Sequence, residues 1–190
     1  MVTTTRLTNP TKYRLTVEQY YKMAEVGILG TEQRTELIEG EIIEMSPIGA
    51  KHAGTINRLN RVLSPLVSNQ AIISIQNSIR LNDNSEPQPD LAVLRLRDDC
   101  YTDCHPIPDD IFLLIEVSDS TLKYDREVKI PLYAKAGIPE VWIANIEAQI
   151  FEVYRFPSQD GYEKMQNYGK GEVIQIVTLA DIAIAVDDIF

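Results

Sequence analysis

The run Ile111-Phe112-Leu113-Leu114-Ile115-Glu116-Val117 constrains this chain more than any other segment. A stretch so nearly free of polar residues reads as a central β-strand covered on both faces rather than one face-up to water. Covering both faces requires a layer on each side, so the chain is expected to be an α/β protein. Glu116 is the exception inside that run. A carboxylate on a buried strand is costly unless something compensates it, and that need makes Glu116 a candidate functional residue.

The flanking segments supply the layers. Thr16-Val17-Glu18-Gln19 has the form of a helix capping box, and Gly27 offers a stop. Two short strands are expected within 35–45 about a Glu39-Gly40 turn, then a helix from Ala50 that frays near Pro65, with Ile56, Leu59, Leu63 and Leu66 on one face. Strands follow at 71–81, 90–96 and 111–117, a helix over 125–136 ended by Gly137 and Pro139, and a strand at 141–145. Further strands are expected at 150–154, 162–166, 173–177 and 182–186. The fold expected is a mixed central β-sheet flanked by helices, with additional N- and C-terminal strands. At 190 residues the chain suits one domain. Residues 1–47 would form an N-terminal helix and strand extension, 48–146 the core, and 147–190 a strand-rich C-terminal extension.

Composition narrows the setting. Cys100 and Cys104 form a Cys-x3-Cys-His pattern without the second ligand pair of a structural zinc site. Reduced thiols and a cytoplasmic location are the expectation. Met1 to Arg6 contains no apolar leader, and no apolar run reaches membrane-spanning length, so no membrane association is expected. Eighteen basic against 28 acidic residues give a net charge of −10, the wrong sign for holding nucleic acid by counterion release. Local distribution outweighs the sum. Lys51, His52, Arg58 and Arg61 gather in one segment and Lys123, Arg126, Lys129 and Lys135 in another, so a basic face on an acidic body is the expectation.

Asp90, in Pro87-Gln88-Pro89-Asp90-Leu91-Ala92-Val93, opens the strand before the one bearing Glu116. Consecutive strands are usually neighbours, which would bring the two carboxylates together. Two such anions raise each other's pKa unless a cation separates them. Mg²⁺ or Mn²⁺ suits that place, because such an ion takes one or two carboxylates, keeps water and accepts phosphate oxygens. Lys129 follows on the next helix, whose side chains lean toward its N-terminus and so toward Glu116; Lys123 is the reserve. Each residue has a bland alternative. Asp90 can cap the turn after Pro89, Glu116 can form an ordinary salt bridge with Lys129 or Lys123, and Lys129 can be a surface lysine.

Across nearly its whole length the chain resembles the Uma2 family of restriction endonuclease-like proteins, within the PD-(D/E)XK nuclease superfamily. The matching segments are Tyr20-Tyr21, Glu36-Leu37-Ile38-Glu39-Gly40-Glu41, Met45-Ser46-Pro47, His52, Pro89-Asp90-Leu91-Ala92-Val93, Glu116-Val117-Ser118, Ser120-Thr121, Tyr124-Asp125 and Lys129. The most specific block runs from Tyr133-Ala134-Lys135-Ala136-Gly137 to Ile138-Pro139-Glu140-Val141-Trp142. The superfamily lysine usually stands two residues after the glutamate, where this chain has Ser118; the resemblance implies that Lys129 replaces it. It further implies Glu36 as a third acidic catalytic residue, the Val117 carbonyl as a metal ligand beside Asp90 and Glu116, and His52 as a phosphate contact.

The function expected is therefore a Mg²⁺- or Mn²⁺-dependent endonuclease acting on phosphodiester bonds, in DNA, with a homodimer serving to cut both strands. Two other readings remain open. One is an inactive nucleic-acid- or protein-binding member of the same fold. The other is a carboxylate-pair glycosidase, in which Lys129 would have no task.

Overall fold

A computed structural model describes residues 11–30 and 33–190 of the chain; the N-terminal residues read above for a leader lie outside them. Helix α1 (Val17–Glu25) starts at the capping box. The Thr16 hydroxyl accepts from the Gln19 amide at 3.2 Å, and the Gln19 side chain accepts from the Thr16 amide at 3.0 Å. Strands β1 (Thr35–Ile38) and β2 (Glu41–Glu44) form a hairpin whose two turn residues, Glu39 and Gly40, have φ of 48° and 76°. Two consecutive positive φ values define the tight turn that matches strand twist. Gly40 is also required by space, since a Cβ there would lie 2.7 Å from Cβ of Arg14.

Helix α2 (Ala50–Val67) buries Ile56, Leu59, Leu63 and Val67 along one face. It continues to Val67 rather than fraying at Pro65, although that proline has no amide to donate to the carbonyl four residues back. Leu66, expected on the apolar face, is exposed; Val67, one helical turn beyond Leu63, takes the place.

The main sheet has the order β3 (Ala71–Ile75), β4 (Leu91–Arg95), β5 (Ile111–Ser118), β6 (Glu140–Asn145), β7 (Ile150–Ser158), β8 (Gly161–Tyr168). Only β5 and β6 pair in parallel; the other neighbours are antiparallel. The parallel pair needs a crossover, and it is helical: α3 (Leu122–Tyr124), a π-helical turn (Asp125–Lys129) and α4 (Ile130–Lys135) follow one another without a break. Strand β3 is shorter than the expected 71–81, since Gln76 adopts a left-handed φ of 51° and turns the chain out of the sheet.

Both faces of β5 are covered, as its composition requires. Leu113, Ile115 and Val117 pack with α2 and with a C-terminal hairpin of β9 (Val173–Gln175) and β10 (Ala183–Ala185). Leu114 packs on the other face with Ile143, Ile130 and Tyr133 from β6 and α4. Glu116 belongs to this second face, where the crossover helices lie. The result is a mixed sheet flanked by helices, with extra strands from both ends of the chain.

Candidate active site

Asp90 and Glu116 face each other across adjacent strands. Leu91 pairs with Ile115 in the antiparallel β4–β5 ladder, so the next step places Asp90 opposite Glu116. The strand ends there because the Asp90 side chain takes over: its Oδ2 accepts from the Val117 amide at 2.8 Å and lies 2.8 Å from Nε2 of His52. Its Oδ1 accepts from the Gln76 side chain at 3.2 Å. The turn that truncates β3 therefore also brings Gln76 onto the carboxylate. Asp90 does more than cap the turn after Pro89.

Lys129 reaches the site through the π-helical turn. Pro131 has no amide to donate and would crowd the carbonyl four residues back in a regular α-helix. A wider turn relieves this, with the Ile130 amide donating to the carbonyl of Asp125. The regular α-helix thus starts close to Pro131, which takes one of its first positions, directly after the π-helical turn. The widened turn points Asp125 and Lys129 inward, and both are buried. Lys129 Nζ sits 3.3 Å from Oε2 of Glu36 and 3.3 Å from Oε1 of Glu116. Lys123 instead is exposed and meets Glu127 at 4.0 Å, so of the two lysines Lys129 is the one in the site. Ser118, on the strand position where the superfamily lysine stands, is buried and donates to Oδ2 of Asp125 at 2.6 Å.

The hairpin adds Glu36, which is buried, uses Oε2 for Lys129 and accepts from the Gln88 amide at 3.1 Å. His52 enters from the first turn of α2. Asp90, Glu116, Val117, Lys129, Glu36 and His52 all line one cavity of about 370 Å³. Four buried carboxylates, Glu36, Asp90, Glu116 and Asp125, share it with a single buried ammonium.

That imbalance shows in the titrations. Burial pushes Glu116 up to about 8 against the pull of Lys129, with Asp125 and Asp90 adding to the rise. Burial also raises Asp125, despite Lys129, Ser118 and Thr121. Burial alone would lower Lys129, but Glu116, Glu36, Asp125 and Asp90 together hold it above its ordinary value, so it remains a cation. The hydrogen bond to Asp90 raises His52.

The donors suit a hard cation. Among the described residues no three Asp, Glu, His or Cys side chains converge so as to enclose a metal ion by themselves. A hard ion that keeps several waters needs fewer. Oε2 of Glu116 is used by neither Lys129 nor the Tyr133 hydroxyl, which donates to Oε1 at 2.5 Å. Within a strand, the amide and carbonyl of one residue project to the same side. The Val117 amide points to Asp90, so its carbonyl opens toward that edge too. All these donors are oxygens.

One expectation about charge fails. Of the second basic cluster, Arg126 is spent on Glu152 and Lys129 on the cavity carboxylates, so it forms no basic face. Arg58 of the first cluster hydrogen-bonds the Ile189 carbonyl. Sequence reading did not find Gln76, Asp125, Tyr133, Tyr124 or Arg34 as lining or supporting groups. Tyr124, Asp125 and Tyr133 stood in matching segments, which was the only signal available for them. Tyr124 is pushed up to about 12, chiefly by burial, and its oxygen is buried without a hydrogen-bond partner.

The profile of the Uma2 family, described as "Putative restriction endonuclease", matches residues 17–187. The chain belongs to the Uma2 family. No curated protein matches it. A crystal structure from Anabaena variabilis, titled as "a putative nuclease belonging to DUF820", superposes on this Uma2 chain with a TM-score of 0.72 at 18% identity. The match covers 93% of this chain and 97% of the other. The fold of this Uma2 protein is thus restriction endonuclease-like, and family and fold together suggest a nuclease. No described helix is long and apolar enough to cross a membrane.

Proposed function

We propose that this Uma2 protein is a Mg²⁺- or Mn²⁺-dependent endonuclease that hydrolyses phosphodiester bonds in DNA. The observation that carries the reading is the gathering of four buried carboxylates around one ammonium in a single cavity, with Asp90 opposite Glu116 on neighbouring strands. Asp90, Glu116 and the Val117 carbonyl would hold the ion. Bound there, a divalent cation polarises the phosphate and lowers the pKa of an attacking water.

The chain's own groups supply the rest. Lys129, kept protonated by its carboxylate neighbours, serves as a fixed positive charge for the phosphorane-like transition state rather than as a base. Glu36 shares that ammonium with Glu116. His52 fixes Asp90 through Nε2 and stands on the cavity wall, where it would contact a phosphate oxygen. A homodimer would bring one such site to each strand of a duplex.

The other reading is a non-catalytic binding protein of the same fold. It is favoured by the Lys129–Glu116 contact, which already neutralises one carboxylate without an ion. A plasmid-nicking assay with Mg²⁺ or Mn²⁺ separates the two. Nicking by the wild type, abolished by chelator and by Asp90→Asn, supports the nuclease. Binding without nicking supports the alternative.

A further inference from the structure

We infer that the Tyr124 hydroxyl is a substrate contact, donating a hydrogen bond to a non-bridging phosphate oxygen of the bound nucleic acid. The inference rests on the nuclease reading and adds a residue to it.

Tyr124 ends α3, immediately before the π-helical turn, and its side chain lines the same cavity as Asp125, Lys129 and Glu36. Among the described residues, its oxygen is the one buried side-chain polar atom that makes no hydrogen bond. Other tyrosines show how unusual this is. Tyr20 donates to the Thr35 carbonyl, Tyr21 to Glu86, Tyr101 to the Arg95 carbonyl, Tyr133 to Glu116, Tyr154 to Glu152 and Tyr162 to the Ile138 carbonyl. A buried hydroxyl without a partner is unfavourable, and native proteins seldom keep one. Carboxylates stand close by in the same cavity, yet none takes this proton.

The missing acceptor must then be supplied by what enters the cavity. In a site crowded with carboxylates the incoming phosphate is repelled, and each neutral or cationic donor on the wall offsets part of that repulsion. Lys129 and His52 are already engaged with Glu36, Glu116 and Asp90. The Tyr124 hydroxyl is engaged with nothing; its oxygen has almost no exposed surface, so an entering phosphate reaches it only as the side chains over it give way.

A structural role and a substrate role predict opposite things of Tyr124→Phe, which keeps the ring and removes only the oxygen. If the hydroxyl supported the fold, the variant would melt lower. Because it has no partner, Tyr124→Phe is expected to melt at the same temperature or higher. DNA nicking with Mn²⁺ is expected to fall roughly ten- to a hundred-fold, the loss of one hydrogen bond to a charged group. Equal nicking by variant and wild type overturns the inference and leaves the nuclease reading intact. So does a lowered melting temperature that accounts for the lost activity. If the wild type nicks nothing, the nuclease reading fails, and binding of a short labelled DNA duplex in Ca²⁺ decides the hydroxyl. Weaker binding by Tyr124→Phe then supports the contact, whereas equal binding, or none by either protein, overturns it.

Discussion

Glu116 and Glu152 lie in one row of the sheet, paired with Ile143 from its two sides, and so project toward the same face. One π-helical turn serves both, sending Lys129 to Glu116 and Arg126 to Glu152. Their states diverge all the same. Burial works to raise Glu152, but the Arg126 fork, at 2.9 and 2.5 Å, and the Tyr154 hydroxyl at 2.9 Å outweigh it and hold the carboxyl below its ordinary range. Glu116 shares its one ammonium with Glu36, faces two further carboxylates and is pushed up to about 8. Glu140, also buried, is likewise fully partnered: Arg155, the Trp142 indole and the Val177 amide all donate to it. A buried carboxylate is therefore no sign of a site by itself. At Glu116 the sign is burial without enough positive charge, together with a place on a cavity.

The strongest test of that contrast removes the carboxylates on the deficient side. Asp90→Asn combined with Glu116→Gln is expected to reduce metal-dependent nicking by about three orders of magnitude, ~4 kcal/mol of barrier, in a nicking time course, with no loss of melting temperature. A matching loss of stability would place these residues among the structural carboxylates.

On the compensated side the expected result is the reverse. Arg126→Ala leaves Glu152 buried without its fork. Because the guanidinium is half-exposed, the cost is about 2 kcal/mol rather than that of a fully buried pair. Denaturant unfolding measures it, and nicking per folded molecule should be unchanged.

A pH series sharpens the comparison. Glu116 has a folded pKa above its unfolded one, so its favourable contribution is complete below the unfolded value and is lost as pH rises through about 8. Glu116→Gln escapes that loss. Its melting temperature should gain on the wild type between pH 6 and about 9; a constant gap would contradict the charge deficit. The smallest effect is expected at His52. Its raised pKa contributes stability that is full below the ordinary imidazole value and disappears as pH rises through the raised one. His52→Gln should cost about 1 kcal/mol in acid and almost nothing in mild alkali, by the same unfolding measurement.

Much of this was legible in the sequence, and the reasons differ by residue. Glu116 and Asp90 announced themselves because charges at strand ends break apolar runs, and adjacent strands then brought them together. Glu36 and His52 were reachable only through family resemblance, since their own neighbourhoods look like an ordinary hairpin and an ordinary helix start. Lys129 was identified on an incomplete argument. It lies beyond the first turn of the crossover, and the π-helical widening before Pro131, rather than the lean of a terminal side chain, turns it inward. The same widening hides Asp125 and Tyr124 from any reading based on a regular helical period. The second basic cluster fails because nearness in sequence does not put side chains on one face: Lys129 is buried against Glu116, while the half-exposed Arg126 reaches Glu152.

The central claim is that Asp90 and Glu116 hold a divalent ion. Titration calorimetry with Mn²⁺ tests it without reference to any substrate. The wild type should bind with a saturable isotherm near one ion per chain, and the protein carrying both Asp90→Asn and Glu116→Gln should show none. Absence of binding by the wild type, or an equal isotherm from the doubly substituted protein, would contradict the account.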